Sequence, residues 1–228
     1  MRTMKDFSIF DIIGPNMIGP SSSHTAGALR IAQLARGMIS GEIVRADFTL
    51  YGSFARTYRG HGTDRALIAG VLGFGTEDSR IRDSFHWAEE MGLAWNFIVD
   101  TQNKDCHPNT VDILLQNREG ERTLVTGVSI GGGAAVIKRI NGVDIDLTGE
   151  YHTILVRQLD TPGVVAAITS ALSDHHINIA FMRLYRESRG SLAYTIIEAD
   201  EAIPAGAVAQ IQSHPSIQSA LLIPKIGA

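Results

Sequence analysis

The residues of this chain best suited to chemistry are histidines set among hydroxyl groups, and the combination occurs twice. The first is Gly19-Pro20-Ser21-Ser22-Ser23-His24-Thr25-Ala26-Gly27, after which Ala28, Ile31, Ala35 and Met38 recur at helical spacing. A helix starting within or just after the serines leaves its first N–H groups unpaired. With the positive end of the helix dipole and the hydroxyls of Ser21, Ser22, Ser23 and Thr25, they could bind a carboxylate or a phosphate. His24 adds a group with an ordinary pKa of roughly 6.5, able to take or give a proton near neutral pH. Plain N-capping competes with this reading, but one serine suffices for a cap.

The second combination is Arg56-Thr57-Tyr58-Arg59-Gly60-His61-Gly62-Thr63-Asp64, leading into the apolar helix Ala66 to Leu72. Glycines on both sides of His61 let backbone approach a ligand, and Thr63 or Asp64 is expected to cap the helix. Two loops with a histidine and hydroxyls at a helix start could converge on one small polar substrate. A thiol and an imidazole adjoin in Cys106-His107-Pro108-Asn109, but neighbours in sequence rarely meet usefully, and Pro108 points to a turn. Ser129 to Ala135 is glycine-rich without phosphate-loop or dinucleotide spacing, and reads as a bulge or backbone contact.

The elements that must position these loops follow from the pattern around them. Asp6 to Ile13 fits neither strand nor helix cleanly. Gly41 closes the first helical pattern, Ala46 to Tyr51 alternates as a strand, Ser79 to Met91 reads as a helix and Leu93 to Asp100 as a strand. Thr110 to Gln116 and Arg122 to Val128 make a hairpin, and Asn141 to Glu150 has turn character. Beyond it the pattern becomes strand Thr153 to Leu159, helix face Val165, Ile168 and Leu172, strands Ile177 to Arg186 and Ser191 to Glu198, helix face Val208 and Ile211, and strand Ile217 to Ile223. That βαββαβ order is ferredoxin-like. The expected fold class is mixed α/β (α+β), with one domain over 1–149 and a second over 150–228. A module so small exposes sheet edges, so dimerisation through an edge is expected.

Over 228 residues the chain is 44% hydrophobic, 19% charged and carries a net charge of −4, which argues against a nucleic-acid footprint. No signal-peptide core or run of transmembrane length is legible, so a cytoplasmic protein without a membrane partner is expected. The single cysteine, Cys106, excludes an internal disulfide and cannot alone hold a zinc ion or an iron–sulfur cluster, so no metal ligands are assigned.

The C-terminal module resembles an ACT domain through Leu159-Asp160-Thr161-Pro162-Gly163-Val164-Val165 and Ile177-Asn178-Ile179. That resemblance implies amino-acid binding at Asp160, Gly163 and Asn178, or a degenerate module serving assembly. The N-terminal part resembles the β subunit of bacterial iron–sulfur-dependent L-serine dehydratase through Ile18-Gly19-Pro20-Ser21-Ser22-Ser23-His24-Thr25 and Gly60-His61-Gly62-Thr63-Asp64. What this implies is deamination of L-serine to pyruvate and ammonia, with a 4Fe-4S cluster held by a separate α subunit. The resemblance further implies His24, His61 and Thr63 as positioning or proton-transfer residues, and Ser21, Ser22, Ser23, Thr25 and Asp64 around the substrate. Which histidine is the base stays open. A related domain binds serine in some D-3-phosphoglycerate dehydrogenases, which keeps a purely regulatory, amino-acid-binding subunit as the alternative.

Overall fold

The computed structural model describes residues 16–103 and 105–226; the Asp6 to Ile13 segment lies outside them. A wide π-helical turn, Ser22–Ala26, runs into α1 (Gly27–Arg36), followed by β1 (Ile43–Tyr51), α2 (Gly52–Thr57) and α3 (Thr63–Leu72). A 3-10 turn (Ser79–Asp83), α4 (Ser84–Glu90) and β2 (Ala94–Asp100) come next, then β3 (Thr110–Asn117), β4 (Arg122–Gly131), β5 (Ala134–Ile140) and β6 (Val143–Leu147). These strands form one sheet in the order β2-β1-β3-β4-β5-β6, in which β1 and β2 are parallel and the other pairs antiparallel.

Alternation decides which face is buried. Ala46, Phe48 and Leu50 of β1 and Val111, Ile113 and Leu115 of β3 are fully buried against the helices, whereas Asp47, Thr49, Asp112 and Leu114 look the other way. The faces of β3 are thus cleanly separated. On the helix side α1 lies against α3 at Gly70, where an added Cβ would stand 2.4 Å from the Leu29 carbonyl oxygen and 2.6 Å from Ala32 Cβ.

Several expectations need correction. The first helix ends at Arg36, with Gly37 as its cap, and not at Gly41. Met38 prolonged the apolar pattern because it turns back into the core through Met38 N–H to Ala35 C=O at 3.0 Å. α2 was missed between strand and polar loop. The helix read over Ser79 to Met91 changes from 3-10 to α at Ser84. Asn141-Gly142 is not part of an irregular linker. With φ of 49° and 85° it is the two-residue turn between β5 and β6, and Gly131, Gly132 and Gly133, all at positive φ, close the β4–β5 hairpin beside the register shift at Ser129.

The second sheet holds β7 (His152–Leu159), β8 (Ile179–Arg186), β9 (Leu192–Ala199) and β10 (Ile217–Ile223) in the antiparallel order β10-β7-β9-β8. Helices α5 (Val164–Asp174) and α6 (Ala205–Gln212) cover one face, burying Ile154, Val156, Ile168, Ile197 and Ile211. α5 turns Val164 inward, while Val165, expected on its apolar face, is exposed. The opposite face, through Leu155, Tyr194, Ile196 and Ile223, joins the core of the first sheet, and Asn141 Nδ2 donates to Tyr194 Oη at 3.1 Å. Residue 149 therefore separates the two sheets but not their cores.

Gly70→Ala should destabilise the protein by about 1–3 kcal/mol through overpacking, lowering the melting temperature by about 2–4 °C for each kcal/mol. Gly75→Ala, which meets nothing within 4 Å, serves as the control in the same thermal unfolding experiment and should be near neutral.

Candidate active site

The α1–α3 packing sets the two histidine loops side by side. Thr25, buried at the end of the serine run, donates from Oγ1 to the His61 carbonyl at 2.9 Å. The imidazole rings of His24 and His61 then lie 4.9 Å apart between centroids, tilted by 40°. The two loops thus lie side by side, with their imidazoles in contact.

Each serine of the first loop has its own task. Ser21, in an extended conformation, is the N-cap, its Oγ accepting from His24 N–H at 3.1 Å. Ser22 offers its carbonyl to Gly27 N–H, closing the π turn, and such widened turns are frequent at functional sites. Ser23 Oγ stands 3.0 Å from His24 Nδ1, with Ser21 Oγ 3.4 Å behind it.

On the second loop the helix cap is Gly62, at φ 65° with no side-chain cap bond, and neither Thr63 nor Asp64 fills that place. The left-handed turn brings Thr63 N–H onto the Tyr58 carbonyl at 2.8 Å and drives the threonine side chain inward. Thr63 is fully buried with no partner for its Oγ1, and so does not face solvent as His24 does. Half-buried Asp64 accepts from Arg65 N–H at 2.8 Å, and burial pushes its carboxyl pKa up.

One residue the sequence reading missed is Ser53, whose Oγ lies 2.9 Å from His24 Nε2. Its signal was available: Gly52-Ser53 directly follows the alternating strand β1, whereas the polar loop was read as beginning at Arg56. Gly52 sits at φ 53°, with room for no side chain because Pro108 backbone atoms lie 2.6–2.7 Å from where a Cβ would be. The Pro108 carbonyl in turn accepts from Ser53 N–H at 2.6 Å. The Cys106 to Asn109 turn is therefore scaffolding: His107 Nδ1 accepts from Asn109 N–H within it at 3.2 Å.

Partial burial, and secondarily the nearby His61, lower the His24 pKa below its ordinary 6.5. This shift favours the uncharged imidazole at neutral pH, a form able to accept a proton, set among hydroxyls that can hold a carboxylate or an alcohol. Among the described residues no three His, Cys, Asp or Glu side chains are grouped to hold a metal ion.

In the second module Asp160 is engaged locally. Its Oδ2 accepts from Gly190 N–H at 3.1 Å and from Arg186 at 3.2 Å, contacts that hold its pKa down. Gly163, at φ 92°, starts α5, and both it and Asn178 are exposed.

Comparison with known proteins places this geometry in a class. Residues 7–94 match the family described as serine dehydratase beta chain, and residues 152–216 match the ACT domain. The "L-serine dehydratase, beta chain" of Peptoniphilus asaccharolyticus is 42% identical over 198 residues, covering 87% of this chain and 89% of that one. The "Probable L-serine dehydratase, beta chain" of Bacillus subtilis (strain 168) is 44% identical over 214 residues, covering 94% and 96%. A more distant likeness, 26% over 136 residues, is to a Bacillus subtilis D-3-phosphoglycerate dehydrogenase, covering 60% of this chain and 26% of that one. These matches define a serine dehydratase beta-chain domain joined to an ACT domain. The chain belongs to the L-serine dehydratase beta-chain family.

Replacing His61 by alanine removes the second cause of the depressed His24 pKa, so His24 should titrate closer to 6.5 in an NMR pH series. A histidine whose pKa is depressed in the folded state contributes stability fully above its unfolded pKa, and that contribution is lost as pH falls from about 6.5 through the folded pKa.

Proposed function

We propose that this chain is the β chain of an L-serine dehydratase, contributing the His24–His61 pair and the Ser21–Ser23 hydroxyls to a site completed by an α chain. The observation that carries the reading is the meeting of the two rings at 4.9 Å under a cap of serine hydroxyls, in a chain closely similar to two proteins of that name over most of its length.

Converting L-serine to pyruvate and ammonia requires loss of the Cα proton and of the β-hydroxyl as water, followed by hydrolysis of the resulting enamine or its imine. Within this scheme His24 and His61 accept and return protons, while Ser21, Ser23 and the helix start hold the carboxylate or the departing oxygen. The histidines are only half buried, so a second surface must cover them to exclude water, and a partner chain supplies it.

The 4Fe-4S cluster implied by the family resemblance belongs, in this proposal, to the α chain. The described residues do not fit it: Cys106 stands alone in its turn, and no ligand group surrounds it. No step is therefore routed through a cluster on this chain. A cytoplasmic setting is part of the same reading, supported by the absence, among the described residues, of any helix long and apolar enough to cross a membrane. So is pairing of a second copy along β8, an edge strand that exposes Phe181 and Leu184. Amino-acid sensing through Asp160, Gly163 and Asn178 completes the proposal. The likeness to a D-3-phosphoglycerate dehydrogenase supports the second reading, a serine-binding regulator without a part in bond breaking.

Serine-dependent pyruvate formation, measured anaerobically with this chain, its α partner and the mixture, separates the two readings. The mixture alone should be active, and His24→Ala or His61→Ala should lower its turnover by about 10²–10⁴-fold with the fold intact. Full activity in both variants would make this chain a regulator.

A further inference from the structure

Both ring nitrogens of His24 face hydroxyl groups, Ser23 at Nδ1 and Ser53 at Nε2. An uncharged imidazole carries one N–H donor and one acceptor, so the two hydroxyls cannot play the same role. The geometry of the serine loop favours one assignment. Ser21 Oγ accepts from the His24 backbone N–H at 3.1 Å, which leaves its own hydrogen to be donated. That hydrogen reaches Ser23 Oγ at 3.4 Å or Nδ1 at 3.5 Å, and Ser23 Oγ is itself 3.0 Å from Nδ1. A relay of hydroxyl donors from Ser21 through Ser23 to Nδ1 is therefore open to the loop.

We infer that Ser53 is a positioning residue: its Oγ accepts the Nε2 proton of His24, fixing the uncharged ring as the Nε2–H tautomer with the Nδ1 lone pair turned to the serine loop. The ring plane is set by packing, with the Phe54 ring edge-on at 5.3 Å and the His61 ring at 4.9 Å. Packing alone does not choose between the two flipped orientations of the ring; Ser53 does.

The acceptor is rigidly held. Ser53 N–H is bound to the Pro108 carbonyl and the Ser53 carbonyl accepts from Thr57 Oγ1 at 2.8 Å. One residue before Gly52, Tyr51 Oη donates to Asp112 at 2.8 Å, and Asp112 also accepts from Thr126 Oγ1 at 2.6 Å. These contacts fix the end of β1 and the strand-to-helix turn that carries Ser53. When Nδ1 takes a proton the ring becomes an imidazolium, and the Nε2–H to Ser53 bond becomes charge-assisted and stronger. Ser53 thus steadies the proton-carrying state through the nitrogen that does not react. His61 is the ionisable neighbour on the element opposite; Ser53 and Phe54 on α2 carry no charge.

The tautomer can be measured without the reaction; the importance of Ser53 for turnover rests on the function proposed above. The test is ¹⁵N NMR of the histidine side chains in the full chain, wild type, Ser53→Ala and Ser53→Thr, across a pH series. The wild type should show His24 as Nε2–H. Ser53→Ala should weaken that preference and lower the His24 pKa further, because the imidazolium loses its acceptor, and Ser53→Thr should restore both. With the α partner added, Ser53→Ala should lower kcat about 10- to 100-fold with KM little changed, the range expected for a hydrogen bond to a charged group, and Ser53→Thr should rescue it. An Nδ1–H ring in the wild type, or a His24 pKa that rises in Ser53→Ala, would overturn the assignment. The expected NMR pattern with unchanged turnover would uphold the tautomer and count against His24 as a catalytic residue.

Discussion

The contact on which the site depends is the crossing of α1 and α3 at Gly70. Without a side chain there, α3 settles against the Leu29 carbonyl and Ala32, and the two helix starts come together on one side of the sheet. Thr25 Oγ1 then ties the serine loop to the His61 carbonyl. A bulkier contact would part the helices and, with them, the two imidazole rings, so a packing constraint in the core governs a distance at the surface.

The electrostatic character of the site follows from this placement. Partial burial, and secondarily the neighbouring His61, hold the His24 pKa below its ordinary value, which favours its uncharged form at neutral pH. The surrounding groups are hydroxyls and backbone dipoles, which adapt to either protonation state by rotating or by changing donor. That combination suits a substrate with both a carboxylate and a hydroxyl, and it suits proton transfer better than plain anion binding. The second module is coupled to this core through Leu155, Tyr194, Ile196 and Ile223, so a change in its sheet meets the same packed interior that sets the helix crossing.

Much of this was legible in the sequence because periodicity and turn chemistry are local. The serine run before a helix, the strand through Ala46 to Tyr51, the hairpin after Thr110 and the βαββαβ order of the C-terminal module could all be read in place. The convergence of His24 and His61 was foreseen only from the repetition of a motif. What stayed hidden was set by tertiary contacts. Met38 continued a helical pattern after the helix had ended, because burial outlasts backbone conformation. Thr63 is expected from the sequence to cap its helix, but the left-handed Gly62 takes that place and turns the threonine inward. Ser53 escaped notice since nothing local distinguishes a serine after a strand; its partner lies 29 positions away in sequence. Asn141-Gly142 reads as part of one turn region reaching Glu150, which hides the last two strands of the first sheet on either side of it.

The most direct test of the central claim, that the two loops form one site for serine, is an NMR titration of the full chain with L-serine, following the imidazole resonances of His24 and His61 together with Asp160 and Asn178. The account predicts that His24 and His61 move together along one saturation curve, and that D-serine, which presents the same groups with opposite handedness, moves them less. Movement of Asp160 and Asn178 with both histidines unchanged would contradict it, placing serine in the ACT domain and leaving the paired loops without a substrate.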